Sequence, residues 1–201
     1  MSGQSSTTIA NRALQILGAA SILNLTDNSR EARAASNCYD FARRAELRAH
    51  RWNFARARSL LAPSDTVPTF GYAYSFPLPS DCLYVPFTND FDLDWQIEGR
   101  AILTNSTVSP WSAGMIGDGP ELALVYIADI QDPTIFDPMF CEVLAARMAV
   151  EMCEELTQSN PKGQMARARY SQVLDEASSA NAFEQLAADA PEDDWLLAPW
   201  R

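Results

Sequence analysis

Residues 28–61 read NSREARAASNCYDFARRAELRAHRWNFARARSLL, and no proline or glycine interrupts them. Asn28 and Glu31 have the spacing of a capping box, with Asn in place of the usual Ser or Thr, so a helix is expected to open here and run to about Leu61. At 1.5 Å per residue that helix would be on the order of 45 Å long, the backbone of the fold. On a 100° wheel Ala35, Cys38, Ala42, Ala45, Ala49 and Trp52 share one side, a small-residue seam that lets another helix approach closely while Trp52 plugs one end. Arg30, Arg33, Arg44, Arg48, Arg51 and Arg58 fall within an arc of roughly 80° on the other side, facing water or a partner. Residues 30–58 hold eight arginines against three carboxylates, a net of +5 in a chain of net charge −11, so the remainder carries −16. Charge segregated in this way points to one part of the chain meeting another part, or a second copy, of opposite sign.

The flanking sequence supplies the rest of a bundle. Thr8 precedes Ile9, Ala13, Ile16, Leu17 and Ala20 at helical spacing, and Gly18 marks the stop. Asp137-Pro138 sets an N-cap and first-turn proline for a third helix with Phe140, Val143, Leu144, Met148 and Leu156 on its apolar face. Asn160-Pro161 repeats the signal for a fourth, carrying Met165, Tyr170, Val173, Ala177 and Phe183. Between Pro63 and Asp129 the texture changes to short period-two runs punctuated by Pro, Gly and Asp. Phe70, Tyr72, Tyr74 and Phe76 alternate with small residues as an aromatic-faced strand. Further strands are expected at Leu83–Val85, Trp95–Ile97, Ala101–Thr104 and Leu122–Ile127, with a Glu98-Gly99-Arg100 turn joining two of them. The expected fold is mainly α, of the α+β kind: about four helices with a long second helix, built from 5–62 and 131–188. A small antiparallel β module fills 63–130, and an extended tail follows over 189–201.

Chemistry is sparse. The chain of 201 residues has 47% apolar and 20% charged residues, a globular composition. No run approaches the roughly 18 apolar residues of a membrane span, and Met1 to Thr8 does not read as a secretion signal, so a soluble chain made in the cytoplasm is expected. Cys38, Cys82, Cys141 and Cys153 form no CxxC pair, and with His50 as the single histidine they read as reduced, buried thiols and not as a zinc set. Asp90, Asp92 and Asp94 begin like a calcium loop, but Trp95 stands where the turn needs glycine and Ala101 where the bidentate glutamate belongs. Gly114 to Gly119 lacks the lysine and helix of a phosphate loop. Glu154 and Glu155, or Asp193 and Asp194, are adjacent and would diverge by about 100° on a helix, which is no acid/base pair. No catalytic, metal or cofactor residue is expected, and a non-enzyme is. The arginine arc has three readings: pairing with acidic surface of the same or another copy, a solvated face, or contact with nucleic acid. With only Lys162 among the lysines, arginine's planar fork favours fixed pairing.

Several segments, in order, resemble the tail tubular protein A family, the head-to-tail adaptors of T7-like and related tailed bacteriophages. They are Ala10 to Gln15, Leu47 to Ala55, Phe70 to Tyr74, Leu78 to Leu83, Glu98 to Asn105, Phe136 to Pro138 and Leu144 to Arg147. The resemblance spans most of residues 8–175, and one departure is Arg51, where relatives often carry proline. It implies a virion protein forming a ring, commonly of twelve copies, between the portal and the distal tail (nozzle) protein, with genomic DNA passing only in transit. A negative channel would repel phosphates while arginines stayed hidden at subunit contacts.

On that basis Arg30, Arg33, Arg44, Arg48, Arg51 and Arg58 are expected at the subunit interface, and Phe70, Tyr72, Tyr74 and Phe76 against the distal tail. The tail after Asp189 matches nothing in the family. Its physics alone, an acidic run at Glu192, Asp193 and Asp194 followed by Trp195, Leu196, Leu197 and Trp200, suggests a peptide that docks on the portal or a neighbour. Two other classes compete: a DNA-binding module using the arginine arc, and a nuclease holding magnesium between Asp90, Asp92, Asp94 and Glu98.

Overall fold

The computed structural model describes residues 4–66, 68–86, 95–105 and 121–184. Four helices, α1 (Ser6–Leu17), α2 (Arg30–Ala49), α3 (Pro138–Thr157) and α4 (Asn160–Phe183), are joined by two small antiparallel sheets inserted between α2 and α3. The α+β architecture with about four helices is the one the sequence leads to.

Caps define the helix ends. Ser5, and not Thr8, caps α1 by accepting from the Thr8 amide at 3.1 Å. Gly18 closes it in the left-handed region at φ 67°, a conformation that costs glycine nothing sterically. Ser29, one residue after the expected Asn28, caps α2 by accepting from Ala32 N at 3.1 Å. Asp137 caps α3 through the amides of Met139 and Phe140, and Pro138 occupies the first turn as its spacing predicts. The link from α1 to α2 is pinned by Asn11, whose amide exchanges two bonds with the backbone of Ile22, at 2.9 and 2.8 Å.

α2 is shorter than its uninterrupted sequence suggests. It ends at Ala49, giving a helix of about 30 Å. His50 turns extended, Asn53–Ala55 form a 3-10 turn, and Arg56–Leu61 become strand β1. Helix propensity is a weak prior, and here tertiary bonds override it. The indole Nε1 of buried Trp52 donates to the Glu46 carbonyl at 3.1 Å, so Trp52 folds back over the helix end instead of continuing it. Asn181 of α4 accepts from the Asn53 amide at 3.0 Å and donates to the Arg51 carbonyl at 2.9 Å. Strand pairing of β1 with β6 (Leu122–Ala128), from Arg56 opposite Ile127 to Leu61 opposite Leu122, then takes over the backbone groups. The β region therefore starts at Arg56 and not at 63.

One sheet has the order β1-β6-β3, with β3 at Cys82–Tyr84. The other is β2-β5-β4, with β2 at Tyr74–Pro77, β4 at Trp95–Glu98 and β5 at Ala101–Thr104. Glu98 pairs with Ala101 across a two-residue hairpin in which Gly99 has φ 57°.

α3 is the hub, burying ten of its twenty residues against α1, α2 and α4. At its start Phe140 meets Trp52 at 5.2 Å and both Phe54 and Phe136 at 5.1 Å between ring centroids. A second core inside the β region gathers Phe76, Ile102, Leu124 and Tyr126. The two are stitched by Ile127, whose side chain belongs to the helical core, and by buried Arg43 of α2, which bonds Asp129 and donates to the Ile130 carbonyl at 2.6 Å.

The expected small-residue seam of α2 is displaced. Ala35 and Ala42 are buried, but Ala45 and Ala49 are exposed, and the inward face is Ala32, Ala35, Tyr39, Ala42, Arg43, Glu46 and Leu47. That face lies about 80° around the wheel from the seam. On α4, Val173 and Ala177 are buried as their spacing indicates, whereas Met165 and Phe183 face solvent.

Truncating the aromatic hub tests this hierarchy. Phe140→Ala should cost about 3–5 kcal/mol of stability. In urea it should appear as a lower midpoint with an unchanged slope for both the helical signal and the β-region signal, since the two cores share Ile127 and Arg43.

Candidate functional site

The arginine arc survives in part. Arg30, Arg33, Arg44 and Arg48 all lie on α2 and are exposed. Arg51 sits in the extended link and Arg58 on strand β1, so the six do not form one helical stripe, although both are also exposed. Arg44 Nε pairs with Asp129 at 3.3 Å. Arg30 and Arg48 donate to main-chain carbonyls, those of Glu155 and Leu83, and Arg48 also lies over the Tyr84 ring at 5.7 Å. Among the described residues no carboxylate pairs with Arg30, Arg33, Arg48, Arg51 or Arg58.

Beside this arc sits a residue that charge patterning did not single out. Phe41 is 79% exposed. Its position, three residues before Arg44 and seven before Arg48, places it on the same face, an exposed aromatic ring among cations. That composition is characteristic of interface anchors. On the wheel Phe41 falls between the arginine arc and the seam, about 20° outside the arc, so the wheel alone did not mark it.

The aromatic strand is corrected more sharply. Only Tyr74–Pro77 is strand, and Phe76 is fully buried opposite Ile102. Tyr74 shares its inward face, with the rings 6.3 Å apart. Period-two alternation requires this: residues two apart point the same way, and the core takes that face. Phe70, 87% exposed, and half-buried Tyr72 precede the strand and remain accessible. Trp195, Leu196, Leu197 and Trp200 lie outside the described residues, as do Asp90, Asp92, Asp94 and the glycines from 114 to 119.

Sequence reasoning also missed a buried polar node. Glu46 of α2 is 1% exposed. Its Oε1 accepts from the Tyr170 hydroxyl of α4 at 2.8 Å and lies 3.7 Å from Arg147 of α3; its Oε2 lies 3.6 Å from His50 Nε2 and has no hydrogen-bond partner among the described residues. Burial pushes the Glu46 carboxyl above its ordinary value of 4.5, against the pull of Tyr170, His50 and Arg147. Tyr170 is pushed up to about 12, chiefly by burial and then by the Glu46 carboxylate. Arg147 is held in place by Glu151 at 2.8 Å and covers the Tyr170 ring at 5.8 Å. The node ties three helices together through a carboxylate buried among them. The thiols of Cys38 and Cys141 are pushed up to about 12 by burial, and that of Cys82 is raised by the same cause, so all three stay protonated and unreactive near neutrality.

A groove of about 560 Å³ lies where β3 and its continuation face β4, lined by Leu83, Val85, Trp95 and Ile97 with Arg48 and Arg100 among its walls. Arg100 donates to the carbonyls of Pro79 and Ser80. Both guanidinium groups thus contact neutral acceptors and retain their charge.

No protein-family model matches the chain, and no curated protein matches it. Among the described residues no helix is long and apolar enough to cross a membrane.

The Glu46 node has a measurable pH signature. A carboxyl whose folded pKa is raised contributes stability that is present below its ordinary value of 4.5 and is lost as pH rises through the folded value. Glu46→Gln keeps an acceptor for Tyr170 and removes the charge. The variant's stability relative to the natural protein should therefore rise as pH increases above 4.5 and level off at higher pH, as followed by urea unfolding across pH 4–8. A constant difference over that range would show that Glu46 titrates normally.

Proposed function

We propose that this chain is a structural virion protein, a ring-forming adaptor between a portal and a distal tail (nozzle) protein that encloses part of the DNA ejection channel. The ordered resemblance over residues 8–175 motivates the reading. The observation that carries it is the face of α2 on which Phe41, Arg33, Arg44 and Arg48 are exposed together, in a chain whose net charge is −11. Arg44 meets Asp129 on its own subunit, whereas no described carboxylate pairs with Arg33 or Arg48, which leaves both charges for another subunit. Glu154, Glu155, Asp175 and Glu176 are exposed on α3 and α4. Cyclic assemblies need a face complementary to a different face, and a cationic aromatic patch against an acidic one meets that need.

Contact with the distal tail component is assigned to the β region, through Phe70, Tyr72 and the outer edge of Tyr74, with buried Phe76 now in a supporting role. The segment holding Trp195, Leu196, Leu197 and Trp200 is assigned to the portal or a neighbouring copy once the ring assembles. DNA contact through the same uncompensated arginines is the second reading. It predicts affinity for duplex DNA that falls steeply with salt.

Mass measurement of the complex with portal tests the assembly. A full ring of subunits, with twelve the family's common number, is expected, whereas one or two copies per portal ring would sink the proposal. Phe41→Ala should weaken association between copies by about 2 kcal/mol, close to thirtyfold in affinity, while leaving the thermal midpoint of the isolated chain nearly unchanged. Replacing residues 106–119 by a short linker should leave portal binding intact and impair addition of the distal component; loss of portal binding would reverse the polarity assigned here.

A further inference from the structure

The groove between the two sheets combines an apolar lining with two cations that no described carboxylate neutralises. Leu83, Val85, Trp95 and Ile97 supply the lining, and Ile97 is itself solvent-exposed. Arg48 is fixed by the Leu83 carbonyl and Arg100 by those of Pro79 and Ser80, so each guanidinium is oriented while keeping donors to spare. An occupant that fits must be apolar, with carboxylates beside its apolar side chains.

Residues 191–201, Pro-Glu-Asp-Asp-Trp-Leu-Leu-Ala-Pro-Trp-Arg, have that chemistry: three consecutive carboxylates followed by two tryptophans and two leucines within six residues. The segment is also tethered within reach of the groove. The end of α4 is clamped to the link after α2, Asn53 donating to the Asn181 carbonyl at 2.9 Å and to the Glu184 carboxylate at 3.3 Å. Asn53 is five residues beyond Arg48, a separation of no more than about 19 Å. From Glu184 to Trp195 an extended chain reaches about 36–40 Å. We propose that, in the free subunit, the segment 191–201 is held in the groove between the two sheets of its own chain, with Glu192, Asp193 and Asp194 facing Arg48 and Arg100 and Trp195 and Leu197 covering the apolar lining. A short tether gives such a segment a high effective concentration, so the apolar peptide is kept from other partners until something displaces it.

The test uses the full chain without portal, so its outcome is independent of the adaptor reading. Chymotrypsin cutting after Trp195 or Leu197 is followed by intact mass at low salt. The double variant Arg48→Glu, Arg100→Glu should accelerate these cuts at least tenfold. The triple variant Glu192→Lys, Asp193→Lys, Asp194→Lys should do the same, and it leaves the described core untouched. Combining the two sets should restore protection to within about threefold of the natural chain, since the charges are then exchanged. Protection should not vary over a hundredfold range of protein concentration. Cleavage that slows as concentration rises would place the segment on a second copy and overturn the proposal. The chain from Pro86 to Trp95 joins the two walls and carries Asp90, Asp92 and Asp94. Were it the segment that neutralises the arginines, the triple variant would be cut at the natural rate, and the proposal would fall.

Discussion

A helix with apolar side chains on nearly every side has to be enclosed, and α3 is that helix. Its buried residues run from Phe140 to Cys153 and leave only a narrow strip, including Arg147, Glu151, Glu154 and Glu155, to water or polar partners. Enclosure fixes how α1, α2 and α4 must sit, because each contributes one apolar stripe and no more. α4 shows the consequence plainly: of its twenty-four residues only Ala166, Val173 and Ala177 are deeply buried. The faces of α2 and α4 that α3 does not need are large, polar and available, and that is where the exposed Phe41, Met165 and Phe183 occur.

The passage from bundle to sheets depends on six residues after α2. Trp52 caps the helix end from the side, Asn181 holds the link, and β1 pairs with β6 immediately afterwards. Arg43 crosses from α2 to Asp129 and Ile130, just past the same C-terminal end of β6 where Arg56 pairs with Ile127. The C-terminal end of β6 is therefore held twice, by pairing with the continuation of α2 and by Arg43, so the first sheet cannot move away from the bundle there without breaking buried charged bonds. Removing one partner of such a pair leaves the other buried without compensation, which makes the attachment stiff even if its net contribution to stability is small. The second sheet has no comparable anchor to the helices among the described residues, and its hold on the first is the shared core around Phe76 and Tyr126.

How much of this was legible follows from where the information sits. Asp137-Pro138, Gly18 and the Glu98-Gly99-Arg100 turn are local chemistry, and each produces the element expected of it. The end of α2 is not local: nothing between Ala49 and Leu61 breaks a helix, and the stop comes from Asn181 and Ile127, more than seventy residues away. The rotated inward face of α2 has the same origin. Arg43 and Glu46 count as polar on a wheel, yet Asp129, Tyr170 and Arg147 make burying them tolerable. Phe76 was read as exposed because alternation shows which residues share a face and not which face the core takes. For the interaction surface, the arginines were visible as charge, whereas Phe41 needed the face of α2 to be fixed before its exposure meant anything.

The basic residues show one further regularity. Arg30, Arg43, Arg48 and Arg100 each donate to a main-chain carbonyl, and Lys162, the single lysine, does so to the Leu17 carbonyl at 2.9 Å, where α1 ends. A carbonyl orients a guanidinium without cancelling its charge. Where Asp129 accompanies the carbonyl, as at Arg43, the result is a sealed internal bond; where no carboxylate follows, as at Arg30, Arg48 and Arg100, the result is a cation already fixed in direction with donors left over. Such a group loses less rotamer freedom when a carboxylate arrives than a free side chain would. Lysine at the same places would keep the charge and lose the orientation, since one ammonium cannot hold a carbonyl on one edge and present a planar pair of donors on the other. The near absence of lysine from a chain rich in unpaired cations is then a structural preference: the outward charges are built as positioned hydrogen-bond donors, and the surfaces they mark are suited to partners that bring fixed carboxylates.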